Sequence, residues 1–139
     1  MSDIVVLDAS AACNIARHTP EGLEYASVLA GASLIVTAGL YCAECANVLG
    51  RYVRLKMCSA DEAKQQFRLA LDLPAACIPC DSLAEQAMEL SLKHGCKAYD
   101  MFYLALAKEL GAALVTGDKG LAHWAGIENV PCKGIDGNE

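Results

Sequence analysis

The chain has 139 residues and a net charge of −6, from 11 Lys and Arg against 17 Asp and Glu. That length supports one hydrophobic core rather than two, so a single domain spanning 1–139 is expected. Hydrophobic residues make up 55% of the chain, yet no apolar run approaches the roughly 18 residues of a membrane span. Met1 to Asp8 also lack the basic start of a secretory signal, so a cytoplasmic protein with no membrane partner is expected.

Ile4-Val5-Val6-Leu7 is a short continuous apolar run, the pattern of a strand buried on both faces. Thr19-Pro20-Glu21 opens a helix to about Leu29, with a capping hydroxyl, a proline in the first turn and an early acid. Ser33 to Thr37 is the second strand, and a long helix follows from about Leu40 to Met57. Ser59-Ala60-Asp61-Glu62 is a capping box that starts another helix, to about Leu73. A third strand fits Ala76 to Pro79. Asp81 is read as the cap of a helix to His94, which Gly95 terminates. Tyr99 to Leu110 is helical and stops at Gly111. Ala113 to Thr116 forms the fourth strand, Lys119 to Ala125 a short helix, and Val130 to Lys133 a weak fifth strand. Strands separated by helices require crossovers, and so a mainly parallel sheet of four to five strands covered on both sides. Ligands of such sheets gather beyond the carboxyl ends of the strands.

Eight cysteines stand at positions 13, 42, 45, 58, 77, 80, 96 and 132. Cys42/Cys45 and Cys77/Cys80 have the Cys-x-x-Cys spacing of a zinc site. The 31 residues between the pairs exceed the usual gap of roughly 15–20, and the first pair falls within a helical pattern. Packing residues are therefore expected, with zinc as the alternative.

Most acids fit helix first turns or solvated faces; four do not. Asp8 directly follows the first strand. Asp118 follows the fourth, past Gly117, where a tight backbone turn is expected. Glu44 shares an apolar helical stripe with Leu40, Tyr41 and Val48, and Asp100 heads another with Tyr103, Leu104 and Ala107. An unpaired carboxylate on such a face tends to protonate rather than ionise. The nearby cations, Arg51, Arg54, Lys97 and Lys119, cannot be assigned convincingly as their partners. A hard divalent cation with oxygen ligands would compensate them, and it would reverse the local charge that otherwise argues against a nucleic-acid partner.

Four segments now carry a resemblance: Val-Leu-Asp8-Ala-Ser10, Ala43-Glu44-Cys-Ala-Asn47-Val-Leu49, Ala98-Tyr99-Asp100-Met-Phe-Tyr103-Leu-Ala-Leu-Ala107 and Leu-Val-Thr116-Gly-Asp118-Lys-Gly-Leu121. In this order and spacing, nearly the whole chain resembles the PIN domain, and within it the VapC toxins of toxin–antitoxin pairs. The resemblance implies a three-layer α/β/α fold and a Mg²⁺- or Mn²⁺-dependent endoribonuclease. It implies that Asp8, Glu44, Asp100 and Asp118 are catalytic and hold one or two ions, with Ser10 and Thr116 as supporting hydroxyls. It further implies an RNA substrate (tRNA, rRNA or mRNA), a homodimer, and a small antitoxin that threads a segment across the acids.

Arg51, Arg54, Lys56 and Lys119 are candidate phosphate contacts. Tyr41, Tyr99 and Tyr103 are better read as core than as base-stacking residues, and His18, His94 and His123 as surface residues. Three other readings compete. A phosphatase with a nucleophilic Asp8 needs a second aspartate where Ser10 stands. A solitary RNA-processing nuclease and a non-catalytic protein-binding module remain open.

Overall fold

A computed structural model describes residues 3–133; residues 1–2 and 134–139, which the single-domain expectation includes, lie outside them. Five parallel strands run β1 (Ile4–Leu7), β2 (Leu34–Ala38), β3 (Ala76–Ile78), β4 (Ala113–Val115) and β5 (Cys132–Lys133). Their order across the sheet is β3-β2-β1-β4-β5, with Val6 beside Val36 on one side and Leu114 on the other. Val5, Val6 and Leu7 are buried because β1 is the central strand, the position the apolar run anticipates. Thr37 is also fully buried, and its hydroxyl donates to the Leu7 carbonyl at 2.7 Å, locking β2 onto β1.

Among the described residues seven helices flank this sheet, as a three-layer α/β/α arrangement requires: α1 (Ala9–Ala16), α2 (Pro20–Ala30), α3 (Tyr41–Arg54), α4 (Ala60–Asp72), α5 (Ala84–His94), α6 (Ala98–Leu110) and α7 (Lys119–Ile127). One group packs around α1, which touches α2, α3 and α4; α6 packs on β1, β2 and β4 and is joined by α5 and α7. The Tyr41 hydroxyl donates to the Ala70 carbonyl at 2.5 Å, tying α3 to α4. No helix among the described residues is long and apolar enough to cross a membrane.

Several expectations need correction. No element is expected at α1, whose Ala-rich eight residues are buried almost all round and show no helical period. α3 ends at Arg54, three residues before Met57. Lys56 adopts φ 61°, its amide donates to Val53 and that of Met57 to Tyr52, a Schellman stop without glycine. Asp81 caps nothing: it sits in a 3₁₀ turn, Cys80–Ser82, and α5 starts after Leu83 with no side-chain cap.

His94 is not a surface residue. Its ring contacts Glu128 Oε2 at 2.6 Å and stacks on Trp124 with centroids 4.8 Å apart. Lys93 and Lys108 also pair with Glu128, whose side chain is only 4% exposed, so one carboxylate fastens α5 and α6 to the end of α7. Cys13 and Cys45 pack inside as expected, but Cys42 and Cys77 are exposed.

Candidate active site

Two adjacent central strands deliver the first two acids to one edge. β1 ends at Leu7, and Asp8 caps α1, its Oδ1 accepting the Ala11 amide at 3.0 Å. β4 ends at Val115, and Asp118 caps α7 by accepting the amides of Gly120 and Leu121 at 2.8 and 3.1 Å. β1 and β4 are also where the chain order reverses across the sheet, so a crevice is expected between their carboxyl ends.

Ser10 and Thr116 join the two strand ends. The Thr116 hydroxyl donates to Asp8 Oδ2 at 2.5 Å and accepts the Asp118 amide at 3.0 Å. The Ser10 hydroxyl reaches both Asp8 oxygens, at 2.8 and 2.9 Å, and accepts the Gly117 amide at 2.9 Å. Both hydroxyls thus hydrogen-bond Asp8 and tie it to the end of β4. The backbone bends at Gly117, and the space for a side chain there is tight. It has no left-handed backbone, but a Cβ there would lie 3.0 Å from the Tyr25 hydroxyl.

The other two acids come from helix first turns. Glu44 lies in the first turn of α3 and is half-buried; the Tyr103 hydroxyl donates to its Oε1 at 2.6 Å. Asp100 lies in the first turn of α6 and is also half-buried. Tyr103, read from sequence as a core residue, is fully buried and still touches the site. Its position three residues after Asp100 on one helical face is the signal that would have linked them.

Electrostatics connects all four acids. Burial raises the Asp8 carboxyl to about 7, opposed by the Ala11, Thr116 and Ser10 hydrogen bonds and assisted by the charge of Asp118. Glu44 is raised by burial, held down by the Tyr103 hydroxyl, and raised again by Asp100 and Asp118. Asp100 is raised by burial and by Asp118, with Lys97 acting the other way. Asp118 thus acts on each of the other three, as a converging cluster requires. No ion pair reaches any of the four among the described residues, where Glu128 takes the salt bridges.

Arg51 and Arg54 stand exposed on the last turn of α3. They are seven and ten residues beyond Glu44, about 10 and 15 Å along the helix axis. Lys119 is exposed beside Asp118 at the start of α7, and Lys97 precedes α6.

Among the described residues no three Asp, Glu, His or Cys side chains are arranged to hold a metal ion directly. The donor set still suits a hard cation. Mg²⁺ takes one or two carboxylates and keeps several waters, so it does not need a closed protein cage. Raised carboxyls that no ion pair reaches are the groups such an ion would relieve.

The PIN domain family model matches residues 5–127. The chain is 31% identical over 121 residues to ribonuclease VapC3 of Pyrobaculum aerophilum, covering 85% of this chain and 92% of that protein. The crystal structure of PAE2754 from the same organism matches with a TM-score of 0.69 at 22% identity, covering 86% of this chain and 78% of the other; this likeness bears on the fold alone. The acids at the ends of β1 and β4 both fall within the matched span, which takes in all five strands but the last. The chain belongs to the PIN domain family.

Proposed function

We propose that this protein is a metal-dependent endoribonuclease, the toxin of a VapBC-type toxin–antitoxin pair, acting in the cytoplasm as a homodimer. The observation that carries the reading is that Asp118 acts electrostatically on Asp8, Glu44 and Asp100 alike, beside a buried Asp8 that no ion pair among the described residues reaches. The similarity to ribonuclease VapC3 supports RNA as the substrate and a small antitoxin as the partner. An arginine from that antitoxin, laid across the acids, would supply the positive charge they lack and so block the site.

Asp8, Glu44, Asp100 and Asp118 would hold one or two Mg²⁺ or Mn²⁺ ions, which when bound supply Lewis acidity and charge neutralisation at the phosphodiester. The protein's own part is positioning. Ser10 and Thr116 fix both oxygens of Asp8, and Tyr103 fixes Oε1 of Glu44. A carboxylate of the cluster takes a proton from the attacking water. The new bond joins the water oxygen to phosphorus, and the bond to the ribose 3′ oxygen breaks. That oxygen is protonated as it leaves, giving 5′-phosphate and 3′-hydroxyl ends.

The test is Mn²⁺ titration by calorimetry together with sequencing of the RNA ends, for the wild-type chain and Asp118→Asn. Asparagine retains an oxygen for the Gly120 and Leu121 amides, so α7 keeps its cap. Wild type should bind the ion and leave 5′-phosphate ends, while the variant loses at least 10²-fold in cleavage rate, the scale of one removed electrostatic group. A chain that neither binds Mn²⁺ nor cuts RNA is a protein-binding module instead.

A further inference from the structure

Three tyrosines lie near the acids in sequence, and the structure separates them. Tyr41 and Tyr103 are 2% and 1% exposed, whereas Tyr99 is 65% exposed. Tyr99 directly precedes Asp100 and stands four residues before Tyr103 in α6. Side chains four apart lie one above the other on a helix, so Tyr99 sits one turn beyond Tyr103, at the helix end that carries Asp100. The Tyr103 hydroxyl touches Glu44, so the helical face that Tyr99 shares is the one turned towards the acid cluster, with Tyr99 at its solvent-exposed end. Lys97, three residues before Asp100, is exposed, and its charge favours the ionised form of that carboxyl. A wet aromatic ring and an ammonium group therefore flank one acid of the site. Their chemistry complements a nucleic-acid strand whose bases are unpaired: a ring for a base face and a cation for a phosphate. In a chain of net charge −6, a lysine placed there offsets repulsion between the strand and the site.

We propose that Lys97 and Tyr99 form a substrate subsite, with Tyr99 stacked on a base next to the cleaved bond and Lys97 on a neighbouring phosphate. The subsite selects single-stranded RNA, because paired and stacked bases offer no free face to the ring. It rests on the ribonuclease reading above. It assigns substrate contacts to Tyr99, which the sequence favours as a core residue over a base-stacking one, and to Lys97, in addition to the candidate phosphate contacts Arg51, Arg54 and Lys119.

Binding is best measured on full-length Asp118→Asn, which should hold RNA without cutting it, using a short fluorescein-labelled single-stranded RNA of mixed sequence, Mg²⁺ and a series of KCl concentrations. Adding Tyr99→Ala should weaken binding on the order of 5- to 100-fold with the salt dependence unchanged, and Tyr99→Trp should restore it. Adding Lys97→Ala should lower the slope of log affinity against log salt by about 0.7, one phosphate contact on a single strand. Annealing the probe to its complement should remove the advantage of Tyr99 over alanine. Affinities and slopes that both substitutions leave unaltered would overturn the proposal, as would a probe that does not bind. So would a Tyr99→Ala protein with unchanged RNA affinity but a halved mass in sedimentation, since Tyr99 would then be a protein contact. The ribonuclease reading fails by a different result, a wild-type chain that cuts no RNA with Mg²⁺ or Mn²⁺.

Discussion

Tyr103 is a residue whose role depends on a single atom. Its ring fills the core beneath α6, and its hydroxyl meets Glu44 Oε1 at 2.6 Å. Phenylalanine would fill the same space and leave Glu44, already raised by burial and by two neighbouring acids, without its hydrogen bond. Hydrogen bonds to charged groups contribute roughly 1.5–3 kcal/mol, and outer partners of metal ligands typically tune affinity by about 10–100-fold. Tyr103→Phe is therefore expected to weaken Mn²⁺ binding about tenfold in calorimetry while the circular dichroism spectrum stays that of the wild type. If the hydroxyl acts through Glu44, the same substitution made in Glu44→Gln should change Mn²⁺ affinity little further. Additive losses in the double variant would mean that Tyr103 acts on the fold instead.

At the level of elements, helix ends explain where sequence reading succeeded and where it stopped. α5 and α6 end at Gly95 and Gly111, with φ of 66° and 62°, and both stops were visible as glycines. α1, α3 and α7 end with His18, Lys56 and Asn129 at φ of 59°, 61° and 62°. Each is followed by an amide that bonds back to the carbonyl five residues earlier. Nothing in a histidine or lysine announces a left-handed stop, so the sequence does not show where α3 ends or that α1 lies between an aspartate cap and His18. A left-handed backbone costs a residue with a Cβ about 1–2 kcal/mol. Lys56→Gly should therefore stabilise the protein by about 1 kcal/mol in urea unfolding. A loss of stability would show that the lysine side chain holds the corner. The four acids were legible for a related reason. Glu44 and Asp100 are charges on helical stripes that periodicity marks as buried, and Asp8 and Asp118 follow strands whose carboxyl ends a parallel sheet places on one edge. Lys97 and Tyr103 were not legible as site residues, because an exposed lysine and a helical aromatic each fit a solvated face or a core equally well.

For the whole molecule, the site and the Glu128 cluster make opposite demands on pH. The Glu128 carboxyl, bonded to Lys108, Lys93 and His94, falls to about 2. Its contribution is complete above its ordinary value of 4.5 and is lost as pH falls towards 2. The Asp8 carboxyl rises from 3.8 to about 7, so between those values the folded chain binds more protons than the unfolded one. Asp8 therefore makes the metal-free protein less stable as pH rises through that window, by at most ~4 kcal/mol. Glu44 and Asp100 are raised as well and act in the same direction. Metal-free protein should accordingly melt highest well on the acid side of neutrality, at about pH 4. A divalent ion competes with the proton on Asp8, so the rise in melting temperature at fixed Mg²⁺ should grow from about pH 5 to about pH 7 and then level off. Asp8→Asn keeps an oxygen for the Ala11 amide but carries no charge. It should melt higher than wild type at neutral pH without metal, and its response to Mg²⁺ should be small and flat with pH. Scanning calorimetry of both proteins across this range, with and without Mg²⁺, decides the matter. A wild-type response to Mg²⁺ independent of pH, or an Asp8→Asn protein no more stable than wild type near neutrality, would mean that Asp8 is not the buried charge the ion relieves.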